Sequence, residues 1–318
     1  MDGKLIVSSS PHISSPVKTK NIMLDVIIAL IPSLIASIYF FGPRAAVVVI
    51  ASVATCVIAE YICRKVMKRE QTIGDLSAVV TGILLAFNLP SSVPIYVPII
   101  GGLVAIVMVK QMFGGLGQNF VNPALLARII LMNSFPVLMT TWYPSGNFGA
   151  DTTAMASPLA NIAAGNVDAL PSYWDMFIGN IPGCLGETSA LALLIGGIYL
   201  IARKVISPII PVTYIGTVFV LSAILGQDPV AQILCGGLFI GAIFMATDYV
   251  TSPITPRGQI IFGICCGIFT GLFRCFGANA EGVSFAIILS NLLVPMIEKY
   301  TVPNAFGVVK TKPEKEAK

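Results

Sequence analysis

The stretch Ser77-Ala-Val-Val-Thr-Gly-Ile-Leu-Leu-Ala-Phe-Asn88, closed by Leu89-Pro90, is apolar enough for a buried helix and too short to cross a bilayer. At 1.5 Å per residue it covers about 18 Å of a hydrocarbon core about 30 Å thick. It reads either as a half-helix or as a tilted helix of greater true extent. Longer apolar runs surround it at 23–41, 45–63, 94–111 and 123–139, and others lie at 188–202, 208–225, 232–247, 258–276 and 282–298. Lipid offers no partners to backbone N–H and C=O groups, so such runs fold as helices. Of 318 residues, 56% are apolar and 11% charged, whereas a soluble domain carries about 25% charged residues. Mean hydropathy is +0.87. A soluble enzyme is excluded, and the expected fold is an all-α polytopic membrane protein of about ten transmembrane helices.

The cations orient this arrangement, because Lys and Arg collect in cytoplasmic segments. With the N-terminus inside, the inner segments hold Lys4, Lys18, Lys20, Arg64, Lys65, Lys68, Arg69, Lys110, Arg203, Lys204, Arg257, Lys299, Lys310, Lys312, Lys315 and Lys318, leaving Arg44, Arg128 and Arg274 elsewhere. The segment 140–187 has no Lys or Arg but carries Asp151, Asp168, Asp175 and Glu187, so it is expected outside. The expected organisation is a cytoplasmic segment 1–22, a five-helix unit 23–139, an outer loop 140–187, a second five-helix unit 188–298 and a Lys-rich cytoplasmic tail 299–318. Five spans per half make the halves run in opposite senses, as inverted repeats. The third span of the second half, Gly241-Ala-Ile-Phe-Met-Ala-Thr-Asp248, is also short and is followed by Thr251-Ser252-Pro253. Paired broken spans in inverted halves point to a functional site near the bilayer midplane. The first twenty-odd residues contain no apolar stretch of signal-peptide type, so the N-terminus is expected to be retained.

A net charge of +4, scattered along the chain, argues against a nucleic-acid partner. The seven cysteines show no CxxC spacing, so neither a metal site nor a disulfide framework is expected. Cys265 and Cys266 are adjacent in an apolar helix, point in different directions and suit small packing rather than an iron–sulfur cluster. His12 is the single histidine and has no partner for a metal site.

Several residues are candidates for chemistry. In Gly149-Ala-Asp-Thr-Thr-Ala-Met-Ala-Ser-Pro-Leu159, hydroxyls stand among small residues after an acid. Small neighbours let a flat ligand approach the backbone, and Asp151 can orient a hydroxyl or hold a cation. The same pattern also describes an Asp/Thr turn in a surface loop. Asp248, beside Thr247, Thr251 and Ser252, has the oxygens to hold a hard cation such as sodium, or is a wetted helix-end carboxylate. Asp25 and Glu60, near cytoplasmic helix ends, are expected to reach water. Glu281 opens the last span, where a carboxylate suits a helix N-terminus, and is not expected to be a pump residue. Arg128 is expected to face the bundle interior.

Taken together, Ser9-Ser10-Pro11-His12-Ile13, Gly114-Gly115-Leu116-Gly117-Gln118-Asn119 with Asn122-Pro123-Ala124, Asp151 to Leu159, Phe244-Met245-Ala246-Thr247-Asp248 with Thr251-Ser252-Pro253, and Gly282-Val283-Ser284-Phe285-Ala286 with Asn291 resemble the D subunits of the Rnf electron-transport complex. The resemblance covers nearly the whole chain and extends, more distantly, to the B subunit of the sodium-pumping NADH:quinone reductase. It implies a membrane electron-transfer subunit of a ferredoxin:NAD oxidoreductase that exports Na+ or H+, in the bacterial cytoplasmic (inner) membrane, with both termini cytoplasmic. It also implies FMN esterified through its phosphate to a hydroxyl in a motif like Asp-x-x-[Ser/Thr]-Gly-Ala-Thr. Asp151 matches the motif acid, Ala156 the alanine and Ser157 the acceptor, with Thr153 and Thr152 as the other hydroxyls nearby. Ser157 stands where threonine is usual, and Ala154-Met155 replaces the usual hydroxyl-plus-small pair. Trp142, Tyr143, Phe148, Tyr173 and Trp174 suit either ring stacking or an interfacial belt. A further flavin, riboflavin, is implied within the membrane part without a motif to place it. On this reading Arg128 neutralises a flavin or a neighbouring subunit's acid, or pairs with a carbonyl or headgroup. The partners implied are the other Rnf subunits, including an FMN-carrying G subunit and iron–sulfur subunits. Ferredoxin and NAD are left to those partners, since no G-x-G-x-x-G opens a βαβ unit here. The competing reading is a secondary transporter with inverted repeats and no redox cofactor; a purely structural assembly subunit leaves the outer hydroxyls without a purpose.

Overall fold

A computed structural model describes residues 18–146, 155–166, 170–277 and 281–303. His12, Asp151, Thr152, Thr153, Phe148 and the Lys-rich tail beyond residue 303 lie outside the described residues. The helices are α1 (Thr19–Phe41), α2 (Pro43–Val66), α3 (Ser77–Phe87), α4 (Tyr96–Leu103, continued as π-helix through Val104–Gln111), α5 (Pro123–Ser134), α6 (Pro136–Thr140), α7 (Pro158–Ala163), α8 (Tyr173–Ile178), α9 (Ala190–Ala202), α10 (Ile209–Ile224), α11 (Pro229–Leu234), α12 (Leu238–Ile240, continued as π-helix through Gly241–Met245), α13 (Pro256–Phe276) and α14 (Val283–Thr301). Among the described residues there is no strand, only two isolated bridges, Pro90 with Cys184 and Trp142 with Met155. Helices α1, α2, α13 and α14 are long and apolar enough to cross a membrane. Large apolar side chains such as Ile35, Ile50, Ile198, Val212 and Ile254 stand exposed around the bundle, a surface that lipid tolerates and water does not. The chain is an all-α polytopic membrane protein.

The helix starts follow from a repeated local device. Asn122-Pro123, Ser157-Pro158, Asp228-Pro229 and Thr255-Pro256 each place a capping oxygen ahead of a proline at the first helical position. The cap satisfies an orphan N–H, and proline supplies the fixed φ without needing a donor. Gly42, at φ 74°, ends α1 where Pro43 begins α2, which turns the chain sharply between antiparallel helices. Two expected spans are broken. The run 123–139 divides at Phe135, which leaves helical geometry ahead of Pro136. The run 232–247 begins earlier, at Pro229, and divides between Leu234 and Leu238 where Gly236 adopts φ 71°.

Helix α3 is the short element that matters most. Leu76 ahead of it has a left-handed backbone, and Asp75 Oδ1 takes the place of a cap by accepting from the Ser77 N–H and hydroxyl at 2.8 and 2.6 Å. At its other end the carbonyls freed by early termination are used by the outer segment: Gly186 N–H donates to Phe87 O at 2.9 Å and Leu185 N–H to Leu89 O at 3.0 Å. The end of α3 therefore anchors the segment carrying Glu187. Helices α1 and α9 approach closely across the two halves, and a Cβ on Gly196 would collide with the Ala29 carbonyl. The main apolar core runs through α1, α2, α3, α5, α9, α12 and α14.

Candidate functional site

Three polar regions lie along the bundle. On the side expected to be outer, a cavity of about 500 Å³ is lined by Met132, Thr140, Trp142, Ala156, Ser157, Ala160, Ala163, Ala164, Gly277 and Glu281. Ser157 is buried and caps α7, its Oγ accepting from Ala160 N–H at 3.2 Å. The cap holds the hydroxyl on the cavity wall, and proline at the next position fixes the chain there. Met155 points elsewhere: it is 52% exposed, and its backbone N–H pairs with Trp142 O at 3.0 Å. That pairing brings Trp142 to the cavity, whereas Tyr173 and Trp174 stand exposed on α8. Of the residues matched to the motif, Ser157 and Ala156 line one cavity, while Asp151 and Thr153 lie outside the described residues.

These residues fit a covalently held flavin. The volume falls in the ordinary ligand-pocket range of about 300–1,000 Å³, the wall is built from alanines that allow close approach, and one buried hydroxyl faces the space.

Next to this cavity lies a buried ion cluster. The Arg128 guanidinium donates to Glu187 Oε1 at 2.7 Å, Glu281 Oε2 at 2.5 Å, Asn88 Oδ1 at 2.7 Å and Ser284 Oγ at 3.1 Å. A fork-shaped donor set suits two carboxylates at once. Cys184, Glu187 and Glu281 bring potential ligand atoms within 4.8 Å of one another, but the Arg128 guanidinium bridges both carboxylates, which makes the cluster an ion-pair centre. Glu187 Oε2 is buried without a hydrogen-bond partner among the described residues. Arg274 donates to the Gln232 and Cys235 carbonyls, and no carboxylate touches it among the described ion pairs. Glu281 lies in the outer loop ahead of α14; burial and the Glu187 charge push its carboxyl up, against the pull of Arg128 and Arg274. The sequence singled out Arg128 as inward-facing but found neither carboxylate partner, and it gave Glu281 only a helix-end role.

The third region is a cavity between the two halves on the side expected to be cytoplasmic. Ser77, Thr81, Lys110, Asn119 and Asn122 line it from the first half, Thr247 and Asp248 from the second, and Met23, Leu84 and Phe244 supply apolar wall. Asp248 accepts from Thr251 Oγ1 at 3.2 Å and Val250 N–H at 3.4 Å. Thr247 donates to the Ile243 carbonyl, inside the π-helical turn, at 2.6 Å. Asn122 Nδ2 reaches the Met245 carbonyl at 3.4 Å, tying the start of α5 to the end of α12.

Lys110 is held by Glu60 Oε2 at 3.0 Å and Ser77 Oγ at 2.6 Å. Glu60 also accepts from Gln111 at 2.9 Å and lies 3.7 Å from Arg64. This corrects the expectation that Glu60 reaches water. It is fully buried because α2 packs its last turns against α3 and the end of α4, and a buried carboxylate needs these donors. Asp25 is held by Tyr199 Oη at 2.9 Å and Arg203 at 3.3 Å, so it too is paired across α1 and α9.

The family model described as NQR2, RnfD, RnfE matches residues 6–307. Among curated relatives, the D subunit of the Na(+)-translocating ferredoxin:NAD(+) oxidoreductase complex of Acetobacterium woodii is 47% identical, over 98% of this chain and 98% of the relative. The D subunit of the proton-translocating ferredoxin:NAD(+) oxidoreductase complex of Clostridium ljungdahlii is 42% identical, over 95% and 96%. The D subunit of an ion-translocating oxidoreductase complex of Shewanella amazonensis is 35% identical, over 95% and 97%. With its paired cavities and polar clusters carried on a chain that these relatives match almost end to end, the protein belongs to the NQR2, RnfD, RnfE family.

Proposed function

We propose that this chain is the D-type membrane subunit of a ferredoxin:NAD oxidoreductase complex, in which electron flow through the outer cavity is coupled to export of Na+ or H+ through the inner one. It works as one subunit of an ion-translocating oxidoreductase, with ferredoxin and NAD bound by other subunits. The observation that carries the reading is Ser157: a buried hydroxyl on the wall of a cavity of about 500 Å³, in a family whose relatives above are named as subunits of such complexes.

On this reading Ser157 Oγ would hold FMN through its phosphate, the flavin would supply one-electron carriage, and riboflavin would be a second flavin in the membrane part. Ser157 would fix its position, and Trp142, Ala156 and the alanines of α7, which line the cavity, would lie beside it. A covalent link on an outer-face site prevents loss of the cofactor to solvent, while the protein sets orientation and potential. In the inner cavity, Asp248 with the hydroxyls of Thr247 and Thr251 supplies hard oxygen atoms for a cation or a proton. Lys110 lines the same cavity with its ammonium paired to Glu60. The relatives are named for different ions, sodium in one and protons in another.

The chain sits in the bacterial cytoplasmic membrane with both termini inside and the Ser157 loop outside. The test is assembly of the complex with and without this subunit in sealed vesicles, following ferredoxin-dependent NAD reduction and ion uptake together. The reading expects both activities to require the subunit, and a vesicle lacking it that still couples the two would overturn it.

A further inference from the structure

We propose that Glu281 is the proton-accepting group that balances the charge added to the Ser157 cavity when it is reduced; this rests on the flavin reading above. Glu281 belongs to two environments at once. It lines the cavity that contains Ser157, and its Oε2 is bound by Arg128 Nη2 at 2.5 Å inside the buried cluster. Glu187 shares that guanidinium but is more deeply enclosed, with side-chain exposure of 2% against 11% for Glu281.

Among the described residues, the charged and titratable groups that face Glu281 come from three elements. Arg128 comes from α5, Glu187 and Cys184 from the segment ahead of α9, and Arg274 from α13. With both carboxylates ionised, two arginines and two glutamates sum to zero. One electron entering the adjoining cavity then places a negative charge beside a buried ion cluster that has no spare cation among the described residues, where an unbalanced charge is costly. Two carboxylates sharing one guanidinium are poised to take a single proton, because each disfavours ionisation of the other. Glu281 is the one with access to the cavity.

The step balances simply. A one-electron carrier of the complex gives up one electron to the cavity cofactor, and one proton from the outer aqueous phase binds a Glu281 oxygen. Reoxidation returns the electron to the next carrier and releases the proton from the same oxygen. The O–H bond is the one bond on this chain that forms and breaks. Glu281 acts here as a positioning and charge-balancing residue, separate from Asp248 and the inner cavity.

The test uses the complete purified complex. Mass analysis of the 149–159 peptide is read first, and an absent flavin adduct overturns the site reading itself. With the adduct present, the flavin potential is followed against pH in the wild type, Glu281→Gln and Glu281→Asp. The expected result is a potential that falls with rising pH across neutrality in the wild type, a clearly weaker dependence in Glu281→Gln, and its recovery in Glu281→Asp. A redox difference infrared spectrum of the wild type is expected to show a protonated-carboxyl C=O band on reduction. That measurement stands even if Glu281→Gln does not assemble, and Glu281→Asp then identifies the band by shifting it. Absence of the band in the wild type, or a pH dependence unchanged in Glu281→Gln, would overturn the proposal while leaving the flavin site intact.

Discussion

Replacing Arg128 by methionine should be among the most damaging single changes in the outer half of the molecule, and the size of the loss can be worked from its contacts. Arg128 is buried and donates to two carboxylates, an amide oxygen and a hydroxyl within 3.1 Å. Methionine preserves much of the volume but leaves Glu187 and Glu281 facing one another with no cation between them. Removing one partner of a buried ion pair costs about 3–5 kcal/mol, and here one arginine serves two acids. Glu187 has no reserve among the described residues, where its second oxygen already lacks a hydrogen-bond partner. The cost is pH-dependent with a definite sign. Arg128 is one of the charges that hold the Glu281 carboxyl down against burial and the Glu187 charge, so without it that carboxyl is pushed further up, and at acid pH it is neutral and the penalty shrinks. As pH rises through the raised value the penalty returns, and the gap between wild type and variant widens. Thermal unfolding of the purified complex, followed with a thiol-reactive dye, is a suitable assay because Cys56, Cys184, Cys235 and Cys266 are buried and free. The drop in Tm should be about 6 °C or more at pH 8, taking about 2 °C per kcal/mol for a chain of this size, and less at pH 5. The triple variant Arg128→Met, Glu187→Gln, Glu281→Gln should recover most of the loss, because neutral replacements remove the stranded charges. A variant that melts with the wild type at pH 8, or a triple variant no better than the single one, would refute this reasoning.

Three further outcomes follow from the geometry. Asp248→Asn should abolish ion uptake into vesicles while leaving the mass of the 149–159 peptide unchanged, so loss of the flavin adduct in this variant would contradict the separation of the two cavities. Glu60→Gln should cost about 3–5 kcal/mol by stranding the buried Lys110 ammonium, and the double variant with Lys110→Met should regain most of it, as read by the same dye. Gly196→Ala should weaken assembly by about 1–3 kcal/mol through its collision with the Ala29 carbonyl, whereas Gly216→Ala, with open space around it, should be neutral or stabilising by about 0.5–1 kcal/mol.

Most of the helices were legible in the sequence because lipid imposes a simple demand on apolar runs. The expected run 45–63 lies within α2 and 258–276 within α13, and the short run 77–88 matches α3 to a residue. The start of α11 at Pro229 was missed by the run 232–247, although the cap-proline pair Asp228-Pro229 marks it in retrospect. The breaks at Phe135 and Gly236 are the kind of local event that a hydropathy run conceals, although Pro136 and Gly236-Gly237 mark them in retrospect. What composition could not reveal was pairing at long range. Arg128 meets Glu187 and Glu281 across sequence separations of 59 and 153 residues, and Glu60 meets Lys110 across 50. The available signal was charge bookkeeping: Arg128 is a cation outside the cytoplasmic set, and Glu187 and Glu281 are acids at the same outer level, so a pairing was to be expected, whereas Arg274, at that level too, donates to backbone carbonyls instead. Glu60 lay one helical turn before Arg64, which likewise hinted at a paired rather than wetted carboxylate.

The central claim is that Ser157 carries the flavin, and peptide mapping by mass of the chain isolated from its native membrane tests it most directly. The account predicts an FMN adduct on the 149–159 peptide, assigned by fragmentation to Ser157, lost in Ser157→Ala and kept in Ser157→Thr, where the hydroxyl persists. An unmodified peptide in an active complex, or an adduct that survives Ser157→Ala, would contradict it.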